Sequence, residues 1–77
     1  MDTVNVKALF GHRLRELRQL RGWSQEEFSH HAGLDRSYLG GVERGERNIS
    51  LENICTVAEA LGVPVSDLFQ NWNRTSD

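Results

Sequence analysis

Residues 25–42 run Gln25-Glu26-Glu27-Phe28-Ser29-His30-His31-Ala32-Gly33-Leu34-Asp35-Arg36-Ser37-Tyr38-Leu39-Gly40-Gly41-Val42. Phe28 and Ala32 are four apart and share one face of a short helix, and Leu39 and Val42, three apart, share one face of a second. Gly33 stands between the two, where a residue without a Cβ lets the chain turn through a left-handed conformation. Asp35 is a good N-cap for the second helix. Helices of two to three turns joined by Gly33-Leu34 must pack at a steep angle, and Ser29 is small where they come closest. Apolar, small and turn residues thus fall where two crossed helices require them.

Outward from this unit the chain continues as helices. Upstream, Ser24-Gln25-Glu26-Glu27 forms a capping box that fixes where the first crossed helix begins. Before it, Val6, Phe10, Leu14, Leu17 and Leu20 recur at helical intervals until Gly22, and Trp23 staples the turn. Arg15 points outward on that helix, while Arg18 sits at the edge of the apolar stripe, where a charge needs a partner. Downstream, the helix that turns Leu39 and Val42 inward leaves Arg36, Ser37, Tyr38, Gly40 and Gly41 on other faces, and Arg44-Gly45 closes it. After the loop Glu46-Arg47-Asn48-Ile49, Ser50 caps a helix with the stripe Leu51, Ile54, Cys55, Ala58 and Leu61, which stops at Gly62. Pro64 suits the first turn of a short fifth helix carrying Val65, Leu68, Phe69 and Trp72, after which residues 73–77 look frayed. The expectation is an all-α, compact five-helix domain with a helix-turn-helix, one domain over residues 1–77 with its core at about 6–72.

Composition narrows the function. At 77 residues and 8.8 kDa the chain buries about 60–65% of its unfolded surface, too little for a deep catalytic cavity, which argues against a monomeric enzyme. No apolar run approaches the roughly 18–20 residues that span a bilayer, and the first residues lack a basic flank and apolar region, so the chain reads as soluble, cytoplasmic and without a membrane partner. A net charge of −2 looks wrong for a nucleic-acid partner. The acidic excess is local, however: residues 1–47 hold eight basic side chains against seven acidic ones, and residues 48–77 one against four. Eight of the nine basic residues are Arg, whose planar fork suits phosphates and guanine edges. Neighbouring His30 and His31 point about 100° apart and cannot chelate one metal together. With His12 they read as surface residues, and Cys55 reads as a small core residue. No metal site, cofactor or small-molecule ligand is expected.

The runs Leu14 to Arg18, Gly22 to Phe28, Val42 to Asn48, Ser50-Leu51 and Ala58 to Val63 make the chain resemble the Cro/repressor-type helix-turn-helix regulators, the xenobiotic-response-element-like family, over roughly residues 9–70. Leu34 to Gly45 looks most like the small controller proteins of restriction-modification systems. The resemblance implies a sequence-specific DNA-binding transcriptional regulator, with the third helix in the major groove and the second across the phosphate backbone. Arg36, Ser37 and Tyr38 would then read bases, and Gln25, Arg44, Arg47 and Asn48 would hold the backbone. Arg18 and Glu43 match an internal ion pair, which supplies the partner Arg18 needs. Val63, Val65, Leu68, Phe69 and Trp72 form more apolar surface than one terminal helix buries, and the resemblance assigns that region to a homodimer on a near-palindromic operator. RNA polymerase is a candidate further partner. The competing reading is an antitoxin-type or other small helical protein-binding module with an acidic C-terminal surface. Gly40 and Gly41 depart from the pattern of many relatives, and two readings stand side by side: closer approach of the helix to DNA, or close helix-to-helix packing.

Overall fold

The computed structural model describes residues 5–72, so the expectation of a frayed end at residues 73–77 lies outside the described residues. Among the described residues there are four α-helices: α1 (Val6–Leu20), α2 (Gln25–Ala32), α3 (Arg36–Glu43) and α4 (Leu51–Leu61). There is no strand among the described residues.

The start signals work as the sequence implies. The Ser24 hydroxyl accepts from the Glu27 amide at 3.0 Å, and the Glu27 carboxylate accepts from the Ser24 amide at 2.9 Å. Asp35 caps α3 through the Tyr38 amide at 3.1 Å, and Ser50 caps α4 through the Asn53 amide at 3.1 Å. Gly33 stops α2 in the left-handed region at φ 74°, with the Leu34 amide returning to the Ser29 carbonyl at 2.9 Å. Trp23 stacks on Phe28, ring centres 5.3 Å apart, and also packs on His31. One aromatic before the cap thus meets one four residues into the helix, which fixes the entry angle of α2.

The fifth helix is not α-helical. Val65–Phe69 is a 3₁₀ turn that follows Pro64, and Asn71, at φ 61°, takes the chain out of helical geometry soon afterwards. Five residues close too few hydrogen bonds to repay nucleation of an α-helix, whereas the tighter 3₁₀ ladder suits short connectors. The Trp72 indole donates to the Leu68 carbonyl at 3.0 Å and so satisfies an end group of the turn.

The core joins all these elements: Phe10, Leu14 and Leu17 meet Phe28, Leu39, Val42, Ile54, Val57, Ala58, Leu61 and Leu68. Two stripes are narrower than the spacing suggests. Val6 and Leu20 are exposed, at 54% and 75%, because Val6 begins α1 and Leu20 lies about 120° around a 3.6-residue helix from Leu14. On α4, Leu51 is 79% exposed and Cys55 is exposed, while Val57 takes the buried place that the sequence reading gave Cys55. Cys55 lies about 100° around the helix from Ile54 and leaves the face shared by Ile54, Val57, Ala58 and Leu61.

Candidate nucleic-acid interface

A network of charged side chains holds α3 in place. Arg18 and Glu43 are both buried, and the guanidinium grips the carboxylate with two bonds, Nε to Oε2 at 2.7 Å and Nη2 to Oε1 at 2.9 Å. Arg18 Nη1 donates to the Trp23 carbonyl at 2.6 Å, and Gln25 Nε2 donates to Glu43 Oε1 at 2.9 Å. One carboxylate therefore fastens the end of α3 to α1 and to the start of α2. Gln25, expected on the DNA backbone, has one side-chain bond committed to this network; its main-chain amide lies in the first turn of α2, where the helix dipole favours an anion.

Arg36 and Ser37 occupy the first turn of α3 and are exposed. Arg36 makes no hydrogen bond or ion pair among the described residues. It lines, with Gln25, Ser37, Gly40 and Arg44, an open cleft of about 390 Å³ between α2 and α3. Ser37 donates to Asp35 Oδ2 at 2.6 Å. Tyr38 is half-buried; its hydroxyl accepts from Asn53 Nδ2 at 3.0 Å, and the Arg47 guanidinium carbon lies 5.9 Å from its ring centre. Arg44 is exposed and paired with Glu46 at 3.2 Å, and Asn48 is exposed beside Arg47. Arg36, Ser37, Gln25 and Arg44 therefore surround one cleft, with Tyr38 and Arg47 as a separate pair.

The Ser37 hydroxyl first, and then the Tyr38 amide, hold the Asp35 carboxyl below its ordinary 3.8. A depressed carboxyl contributes stability above its unfolded value and loses it as pH falls through its folded value. The melting temperature is thus expected to decline below about pH 3.8 with a component that Asp35→Asn, which keeps a cap, removes. Parallel melting curves for both proteins from pH 5 to 2 would contradict this.

Of the apolar residues expected to face a second copy, Val65 and Phe69 are 40% and 45% exposed, and Val63 and Trp72 are half-buried. Leu68 departs from that expectation, being wholly buried; it anchors the 3₁₀ turn to the core.

Several positioning residues were not foreseen. Arg13 is buried and donates through Nε to the Asp67 carbonyl at 2.7 Å, and Arg21 donates to the Leu61 carbonyl at 2.8 Å. Asn53 holds the Tyr38 ring from α4. Gly11 is where α1 meets α3: a Cβ there would overlap the Val42 carbonyl oxygen and lie 2.6 Å from that of Glu43. The close helix-to-helix packing that Gly40 and Gly41 suggested in the sequence is found at Gly11. Gly40 and Gly41 are instead covered by side chains, those of Arg44, Gln25 and Arg47.

Comparison with known proteins agrees with this geometry. The family profile described as Helix-turn-helix matches residues 14–68. The restriction-modification controller protein C.AhdI from Aeromonas hydrophila superposes with a TM-score of 0.80 at 56% identity, over 82% of this chain and 96% of that one. The controller C.Esp1396I, solved as a tetramer with its natural 35 base-pair operator, gives 0.75 at 25% identity, over 83% of this chain and 84% of that one. A hypothetical transcription factor of Neisseria meningitidis is 43% identical over 67 residues, 87% of this chain, and this chain spans 63% of that protein's length. The chain belongs to the helix-turn-helix family of transcriptional regulators, close to the restriction-modification controller proteins.

Proposed function

We propose that the chain is a sequence-specific, operator-binding regulator that works as a homodimer in the cytoplasm, with α3 in the major groove and no reaction to catalyse. The observation that carries this reading is Arg36, exposed and without a partner among the described residues, on the first turn of a helix that the Arg18–Glu43 pair holds rigid. A guanidinium so placed can fork onto guanine O6 and N7. The amide end of α2 and Arg44, on the same cleft, supply the phosphate contacts that fix the register. Ser37 and Tyr38 add contacts to base edges, and Arg47 and Asn48 hold the adjacent strand. Exposed Val65 and Phe69, with Val63 and Trp72 at their edge, give a second copy an apolar face, and two copies present two recognition helices to a near-palindromic site. Bound there, the regulator would block or recruit RNA polymerase.

The test is a titration of DNA lying upstream of the chain's own gene, with stoichiometry measured by sedimentation. Two chains per half-site pair are expected, and Arg36→Ala is expected to weaken binding by about 1–3 kcal/mol, roughly 5- to 150-fold, with relaxed preference at one base position. A folded wild-type chain that ignores every upstream duplex, or an Arg36→Ala chain that binds as well as wild type, would defeat the reading.

A further inference from the structure

Gly40 and Gly41 lie inside α3, a helical context in which glycine is destabilising relative to alanine, so their presence calls for a physical reason. Both are buried, yet the atoms that bury them belong to flexible arginine and glutamine side chains. At Gly40 an added Cβ would lie 3.1 Å from Arg44 Nη1 and 3.3 Å from Gln25 Oε1, both tips that can swing away. At Gly41 it would lie 2.7 Å from Arg47 Cγ, 3.6 Å from Nε and 3.7 Å from Cβ. The stem of Arg47, not its tip, therefore crosses α3 at Gly41. Three residues earlier on the helix, Tyr38 presents its ring to the Arg47 guanidinium at 5.9 Å, and Asn53 pins the Tyr38 hydroxyl from α4 at 3.0 Å.

We propose that Gly41 is a positioning residue: its missing side chain is a notch that seats the Arg47 stem flat on the recognition helix and fixes the guanidinium against the Tyr38 ring, oriented for DNA. This rests on the operator-binding reading and adds to it a residue that touches no DNA itself. Arg47 leaves a seven-atom side chain's worth of rotamers behind when it is held this way, so less freedom is lost on binding. A methyl at Gly41 lifts the stem away, and the guanidinium leaves the ring. Since Arg47 is exposed, the fold itself loses little by that displacement, and the helix gains from alanine. Stability and affinity are thus expected to move in opposite directions.

The experiment uses the full chain as wild type, Gly41→Ala, Arg47→Ala and the double variant, with operator affinity, melting temperature and side-chain NMR measured on each. Gly41→Ala is expected to melt no lower than wild type and to bind about five- to tenfold more weakly. The double variant is expected to bind as Arg47→Ala does, because Gly41 acts only through Arg47. In the free wild-type chain, Arg47 methylene protons should show contacts to the Gly41 α-protons and an upfield shift from the Tyr38 ring, and Gly41→Ala should abolish both. Full affinity in Gly41→Ala, a loss that persists undiminished in the Arg47→Ala background, or absence of the wild-type contacts would each overturn the proposal. The NMR contacts are read on the wild-type chain, so they decide the matter even if Gly41→Ala fails to fold. Failure of wild type to bind any upstream duplex would defeat the operator reading instead, a result distinct from a bound wild type that Gly41→Ala matches.

Discussion

Glu43→Ala is expected to destabilise the fold by about 3–5 kcal/mol, the loss that follows when one member of a buried ion pair is removed. The carboxylate accepts two bonds from Arg18 and one from Gln25, and both partners of the ion pair are buried. Its removal leaves the Arg18 guanidinium without its counter-charge in a place with little water. Total stability of a domain this size is on the order of 5–15 kcal/mol, so such a variant sits near the edge of folding. Urea unfolding followed by circular dichroism measures the loss. Arg18→Met with Glu43→Leu should recover much of it, because a packed apolar pair escapes the desolvation that the ions suffer. A loss below about 1 kcal/mol for Glu43→Ala would mean that the pair behaves as a solvated surface contact. Under conditions where the single variant remains folded, its preference among operator sequences should be unchanged, since the pair fixes where α3 lies and reads no base.

Gly11→Ala is the second large effect, and its sign opposes the usual rule that alanine strengthens a helix interior. Here the new methyl meets the backbone of α3, the carbonyl oxygens of Val42 and Glu43, which cannot rotate aside as a side chain can. Overpacking a yielding core costs about 1–3 kcal/mol, and a rigid backbone neighbour places this substitution at the upper end, about 3 kcal/mol. For a domain of this length that corresponds to a fall of roughly 12–24 °C in melting temperature. Relief of the overlap moves α3 away from α1, so operator affinity should fall even where the variant is folded. A Gly11→Ala chain that melts at or above the wild-type temperature would show that the two helices can separate at little cost. Alanine at Gly11 and alanine at Gly41 should therefore act oppositely on stability.

What the sequence made legible follows the range of each interaction. Caps and stops act over three or four residues, so Ser24 with Glu27, Asp35, Ser50 and Gly33 could be placed from neighbours alone. The crossed helices were legible for the same reason. The apolar stripe shows only that Arg18 needs a partner; the family resemblance is what names Glu43, and the two side chains do pair. Arg13 with Asp67, Arg21 with Leu61 and Tyr38 with Asn53 left no such mark, being 54, 40 and 15 residues apart in the chain. Helix ends misled the periodicity: Val6, Leu20 and Leu51 continue the spacing of their stripes beyond the neighbours that could cover them. Phe69 and Trp72 lie with ring centres 5.4 Å apart, an association that their spacing alone does not announce, and five residues close into a 3₁₀ turn in place of the expected fifth α-helix.

Arg13 and Arg18 on α1, and Arg21 just beyond its end, spend guanidinium bonds on the carbonyls of Asp67, Trp23 and Leu61. The electric field that reaches a distant polyanion is weak because the chain carries a net charge of −2 and Arg13, Arg18 and Arg44 are paired with Glu16, Glu43 and Glu46. Encounter with a duplex is then governed mainly by unbiased diffusion, and discrimination between sites must reside in how long the complex survives once formed.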